Sequence, residues 1–155
     1  MRLVVDASVG LKWALREPDS PQALALLGSD EDLLVPDFWL NEATNVLWVQ
    51  VLKGGWTPEE ARKGLALLQD ALPPTETADL GLHAVALDIA LAVNHSPYDC
   101  LYAAFAIAMG AERLVMADGP FLKAIRRHPD PTLSRLPLSL DGWAERAGVA
   151  PAGRA

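Results

Sequence analysis

Short apolar runs separated by helix-patterned stretches organise this chain. Leu3-Val4-Val5, Leu33-Leu34-Val35 and Arg113-Leu114-Val115-Met116-Ala117 read as buried strands bounded by turn residues. Thr75-Glu76-Thr77 reads as a shorter strand. Leu136-Pro137-Leu138 reads as an edge strand, because proline cannot donate in the middle of a sheet. Helical patterns fill the gaps. The first is capped by Ser8 and runs to about Leu15, where Glu17-Pro18 ends it. Others cover about 22–27, 38–53, 57–72, 79–93, 100–109, 119–127 and 140–147, with His128-Pro129-Asp130-Pro131 as a loop. Thr57-Pro58-Glu59-Glu60 is a capping signature, and Ser96-Pro97-Tyr98-Asp99 opens the small-residue helix after it. Strands alternating with helices predict an α/β fold. The expected architecture is a three-layer α/β/α sandwich around a mostly parallel central sheet of about five strands.

The helix over 38–53 is apolar on nearly every side, so it is expected to be well buried or to meet another chain. It carries Trp39 and Trp48, two of the five tryptophans. Asn41, Glu42 and Asn45 fall in one sector of it. A dimer surface is expected on part of this helix and its neighbour over 57–72.

Two of the strands stop at carboxylates, Asp6 and Asp118. In open α/β sheets the carboxyl edge is where ligands bind. Glu42 lies in the first turns of the helix after the second strand, and Asp99 opens the helix that leads into the strand ending at Asp118. Singly, each acid has an ordinary reading. Asp6 and Asp118 can cap helices, Glu42 can pair with a base, and Asp99 can complete a capping box with Ser96. Together they would repel one another and raise one another's pKa. A hard divalent cation relieves that repulsion, and oxygen-only ligation selects Mg²⁺ or Mn²⁺ over zinc.

Composition narrows the class. At 155 residues, half of them apolar, the chain is long enough for one domain with its own core, expected over 1–147, with 148–155 as a frayed tail. No apolar run reaches the ~20 residues of a membrane span. Asp6 falls where the apolar region of a signal peptide would lie, so a cytoplasmic protein is expected. The single cysteine, Cys100, excludes an internal disulfide and a cysteine-based zinc cage, and reads as a core residue. A net charge of −7 disfavours bulk attraction to nucleic acid and would suit a basic partner segment.

The motifs Val4-Val5-Asp6-Ala7-Ser8, Asn41-Glu42 with Asn45-Val46-Leu47, Ser96-Pro97-Tyr98-Asp99-Cys100-Leu101-Tyr102-Ala103-Ala104 with Ala106, and Ala117-Asp118-Gly119-Pro120-Phe121-Leu122 come in an order and spacing that cover residues 2 to about 140. In these the chain resembles a PIN-domain protein, and specifically the VapC-type toxins of bacterial toxin–antitoxin pairs. By that resemblance Asp6, Glu42, Asp99 and Asp118 take the family's acidic metal-site positions, and Ser8 the hydroxyl position beside the first. Asn45 would support the site. Met116 stands where the family usually has Thr or Ser. The resemblance also implies Mg²⁺- or Mn²⁺-dependent RNA cleavage, a homodimer, and an antitoxin whose C-terminal segment covers the site.

Three function classes follow. The preferred expectation is an endoribonuclease in which a metal-activated water attacks a phosphodiester. The alternative is a non-catalytic PIN-like interaction module. A phosphatase using Asp6 as nucleophile is the weakest, since no second nearby Asp and no phosphate-holding lysine accompany it. Lys12 and Arg16, spaced i,i+4 on the first helix, are the better candidates for RNA phosphate contacts. Lys123, Arg126 and Arg127 read as a solvated face. His83, His95 and His128 show no ligand spacing, and His95 reads as a turn-capping or exposed histidine.

Overall fold

A computed structural model describes residues 1–150. Among the described residues the strands are Arg2–Val5 (β1), Asp32–Pro36 (β2), Thr75–Glu76 (β3), Arg113–Met116 (β4) and Pro137–Ser139 (β5). They form a sheet in the order β3-β2-β1-β4-β5, with parallel pairing throughout. Val4 of β1 lies opposite Leu34 on one side and Leu114 on the other, so β1 is central and buried on both faces. This is why Leu3–Val5 in β1 is an unbroken apolar run, as is Leu114–Met116 in β4. Pro137 sits on the edge strand, where its missing N–H costs no ladder bond.

The helices are Ala7–Gly10 (α1), Ser20–Leu27 (α2), Trp39–Leu52 (α3), Pro58–Ala71 (α4), Leu82–Val93 (α5), Pro97–Ala108 (α6), Gly119–Arg126 (α7), Pro131–Ser134 (α8) and Leu140–Ala147 (α9). From β1 to β3 the chain steps outward one way. From β3 to β5 it crosses back and continues the other way. Right-handed crossovers then put α1 to α4 over one face and α5 to α8 over the other. The packing agrees: α3 lies on α4, α5 runs along α6, and α9 returns to rest on α2. The direction of winding reverses between β1 and β4, which opens a crevice at the carboxyl ends of these two strands. Among the described residues no helix is long and apolar enough to cross a membrane.

The first helix is shorter than its pattern predicts. It ends at Gly10 and tightens into a 3-10 turn over Leu11–Trp13. Its N-cap is Asp6, whose carboxylate accepts from the Ser8 amide, rather than Ser8 itself. Trp39 packs against this turn. Its indole is fully buried against the backbone at Gly10, where an added Cβ would lie 2.1 Å from the ring, and Trp13 stacks on it at 5.8 Å. The turn also changes the fate of Lys12. Its side chain is buried and its ammonium pairs with Glu17 and, at 2.9 Å, with Asp19. Lys12 therefore pins the turn before α2 and does not share a helix face with the exposed Arg16.

Helix α3 also departs from expectation. Its buried residues are Trp39, Ala43 and Leu47, a single stripe, while Trp48 is 58% and Leu52 67% exposed. Of the two fates expected for this apolar helix, burial in the core holds for that stripe alone, and the rest of its apolar surface is exposed on this chain. The expected loop over 128–131 gives way at Pro131 to a short helix over 131–134, which Asp130 caps by accepting from the Thr132 amide at 2.8 Å. Helix α5 begins at Leu82; Asp79 instead accepts from the Gly81 amide. At the far end Gly148 takes φ 70° and Val149 N–H reaches Ala144 O at 2.9 Å, closing α9. Residues 151–155 of the expected tail lie outside the described residues.

Candidate metal centre

Strand β1 delivers Asp6 into the crevice beside β4, and Asp6 is 5% exposed. Its backbone N–H donates to Val115 O at 3.0 Å, which locks the two strand ends together. Its Oδ2 accepts from the Ser8 amide at 2.9 Å and from the Ser8 hydroxyl. The same hydroxyl accepts from Ala117 N–H at 3.0 Å, so Ser8 ties the end of β4 to Asp6. Burial first, and then the Glu42 and Asp99 charges, push the Asp6 carboxyl up to about 7, against the opposing Ser8 bonds.

Glu42 enters from α3. Its Oε2 accepts the phenolic proton of Tyr102 on α6 at 2.6 Å. Tyr102 is buried, with its ring edge-on to Phe38 at 5.1 Å. Burial and the charges of Asp6 and Glu42 keep its hydroxyl protonated far above the ordinary tyrosine range, so it acts as a fixed donor. Glu42 itself is raised, by burial and then by the charges of Asp99 and Asp118, with the Tyr102 bond opposing.

Asp99 stands in the first turn of α6. It does not complete a capping box; Ser96 alone caps the helix, accepting from Tyr98 N–H at 3.3 Å. Asp99 Oδ2 lies 2.8 Å from His95 Nε2 instead. The His95 ring is mostly buried and stacks on Phe121 at 5.1 Å, which corrects its reading as a turn-capping or exposed residue. Asp118 follows β4 and caps α7 through Phe121 N–H at 2.9 Å. Met116, in the usual place of a hydroxyl, is fully buried and contributes packing alone.

Each of these acids thus has its own hydrogen-bond partner, yet they share one electrostatic field. Among the described residues none of Asp6, Glu42 and Asp118 forms an ion pair. Among the described residues, also, no three His, Cys, Asp or Glu side chains stand in the arrangement of a formed metal site. The donor set is nonetheless of the right chemistry for a hard divalent ion: oxygen only, mutually repelling, and uncompensated by lysine or arginine. The ordinary readings hold as well for Asp6 and Asp118, which do cap helices. A cap needs no crowding of charge, since Ser or Asn serves equally well.

Sequence reasoning missed Tyr102 and His95 as partners of the acids. Tyr102 lies sixty residues from Glu42 and no local pattern links them. For His95 the i,i+4 spacing to Asp99 was a usable signal. Of the other candidates, Asn45 is exposed on α3 near Glu42, as is Asn41, and Arg16 is exposed beyond the first turn.

A PIN-domain model matches residues 3–126 of the chain. The fold is similar to that of PAE2754 from Pyrobaculum aerophilum, with a TM-score of 0.66 at 18% identity over 96% of this chain and 90% of that one. It is similar to VapC20 of Mycobacterium tuberculosis, a sarcin–ricin-loop-cleaving toxin, with a TM-score of 0.62 at 17% identity over 79% and 94%. VapBC2 from Rickettsia felis, solved with a DNA fragment from its promoter, gives a TM-score of 0.63 at 16% identity over 90% and 98%. At these identities the likeness is one of fold. Among curated proteins none matches the chain.

Proposed function

This chain belongs to the PIN-domain family, and from that premise we propose that it is a divalent-metal-dependent endoribonuclease, the toxin of a toxin–antitoxin pair. The observation that carries the reading is Asp6. A carboxylate buried at the switch point of the sheet, without a cationic partner and inside the field of Glu42 and Asp99, is costly unless a cation joins it.

In this reading Asp6, Asp99 and Asp118 hold Mg²⁺ or Mn²⁺, and Glu42 joins them or orients the attacking water. When bound, the ion offsets the acids' repulsion, binds the scissile phosphate and favours ionisation of the water. Ser8 fixes the Asp6 carboxylate against β4, and His95 does the same for Asp99. Tyr102 occupies Glu42 Oε2, which leaves Oε1 to accept a proton. Of the two basic candidates near the start of the chain Arg16 remains for a flanking phosphate, Lys12 being engaged by Glu17 and Asp19.

Two partner readings go with this function. The exposed Trp48, Leu52 and Leu67 on α3 and α4 support a homodimer through these helices. The acidic crevice and the net charge of −7 support an antitoxin that covers the site with a basic segment, in the cytoplasm.

The test is RNA cleavage by the wild-type chain, Asp6→Asn and Asp99→Asn with Mg²⁺, with Mn²⁺ and with EDTA. The expected result is cleavage that the chelator and either substitution abolish. Full activity in the variants, or cleavage indifferent to metal, overturns the reading. A chain that neither cleaves RNA nor binds Mn²⁺ is an interaction module instead.

A further inference from the structure

We infer that the cavity beside Glu42 is a nucleobase subsite, which takes one unpaired base of an RNA strand whose phosphate lies at the acids; this rests on the ribonuclease reading above. The cavity has a volume of about 540 Å³ and lies between the first half of α3 and the start of α6. Phe38, Asn41, Glu42, Asn45, Tyr98 and Leu101 are among its walls. Its size falls in the range of about 300–1,000 Å³ of small-ligand pockets.

Of the four acids Glu42 forms part of the wall, so an occupant lies beside Glu42. Tyr98 is 82% exposed although its neighbours Cys100 and Tyr102 are buried. An aromatic ring left in solvent beside a nuclease site is a stacking platform for a splayed base. Asn41 and Asn45 are one helical turn apart and exposed. Neither carboxamide makes a hydrogen bond among the described residues, so both the donor and the acceptor of each remain free to meet a base edge. Phe38 contacts Tyr102, the residue that holds Glu42, and so couples the wall of the cavity to the acid.

The charge of the lining decides which part of a nucleotide enters. Among the described residues the lining holds the two carboxylates Asp37 and Glu42 and one histidine, His83, but no lysine or arginine. A phosphate is repelled there and a neutral base is not. Leu101 and the two rings supply the apolar contact that the faces of a base require.

Equilibrium binding of short, labelled single-stranded RNA to the purified chain tests this, with Ca²⁺ in place of Mg²⁺. Tyr98→Ala should weaken binding about tenfold, the order of one stacked base, and Tyr98→Phe should restore it. Asn41→Ala with Asn45→Ala should keep most of the affinity and flatten the preference among RNAs that differ in one base. These side chains are exposed, so the variants fold. Equal affinity in Tyr98→Ala and wild type overturns the subsite, and is the result expected if the cleft seats a protein segment. Absence of RNA binding by the wild-type chain also overturns it. Failure of the nuclease reading shows differently: RNA bound in a Tyr98-dependent manner but left intact with Mg²⁺ and Mn²⁺.

Discussion

Tyr102 holds Glu42 from the far side of the sheet. The phenol on α6 donates to Oε2 on α3 at 2.6 Å, across sixty residues of sequence and over the carboxyl edge of β1. Tyr102→Phe keeps the ring in its packing with Phe38 and removes the donor alone. Because Glu42 is half-buried and reaches water, the cost in stability should be small, about 1 kcal/mol by urea denaturation. The cost in cleavage should be larger, about 10- to 100-fold, as for partners that orient metal-site ligands.

Asp6 makes the stability of the metal-free protein depend on pH. Its carboxyl is raised from an ordinary value of 3.8 to about 7 in the folded chain. Between those values the folded state binds more protons than the unfolded state, so stability falls as pH rises from about 4 to 7. The loss is on the order of 1.4 kcal/mol for each pH unit in that interval. Asp6→Asn should flatten this slope and raise the melting temperature of the EDTA-treated chain at neutral pH. Calorimetric scans across pH check both. The same proton competes with a cation, so Mn²⁺ affinity should rise as pH passes through about 7.

His95 acts on Asp99 by geometry. Stacked on Phe121, its ring presents Nε2 to Oδ2 at 2.8 Å. His95→Ala should weaken Mn²⁺ binding and slow cleavage by about 10- to 100-fold, and His95→Gln, which keeps a donor, should recover part of both. Titration with Mn²⁺ and single-turnover cleavage read the two effects separately.

Gly10 reverses the usual helix rule. Alanine normally stabilises a helix interior by about 1 kcal/mol over glycine. Here a Cβ would meet the buried Trp39 ring at 2.1 Å, and that ring is itself stacked against Trp13. Gly10→Ala should therefore cost about 1–3 kcal/mol, measured by denaturant unfolding.

Much of this was legible in the chain itself. Apolar runs ending at Asp6 and Asp118 placed β1 and β4 and their shared edge, and the Thr57–Glu60 capping box formed as written. The failures have physical causes. The chain tightens into a 3-10 turn after Gly10, where Trp39 packs, and Lys12 becomes an internal pin, which a local i,i+4 reading cannot foresee. Helix α3 is apolar on surfaces that this chain alone does not bury, so its composition overstated its burial. In the sequence Tyr102 is legible only as part of the motif that opens the small-residue helix. Only the meeting of α3 and α6, from opposite faces, at the carboxyl edge of the sheet gives its hydroxyl a carboxylate to meet.

Calorimetric titration with Mn²⁺ above pH 7 tests most directly whether these carboxylates form one cation site. The wild-type chain should bind saturably. Asp6→Asn and Asp99→Asn should lose at least about tenfold in affinity, as expected when a ligand is removed, while remaining folded. A wild-type chain that takes up no Mn²⁺, or an Asp6→Asn variant that binds it equally well, would contradict the account.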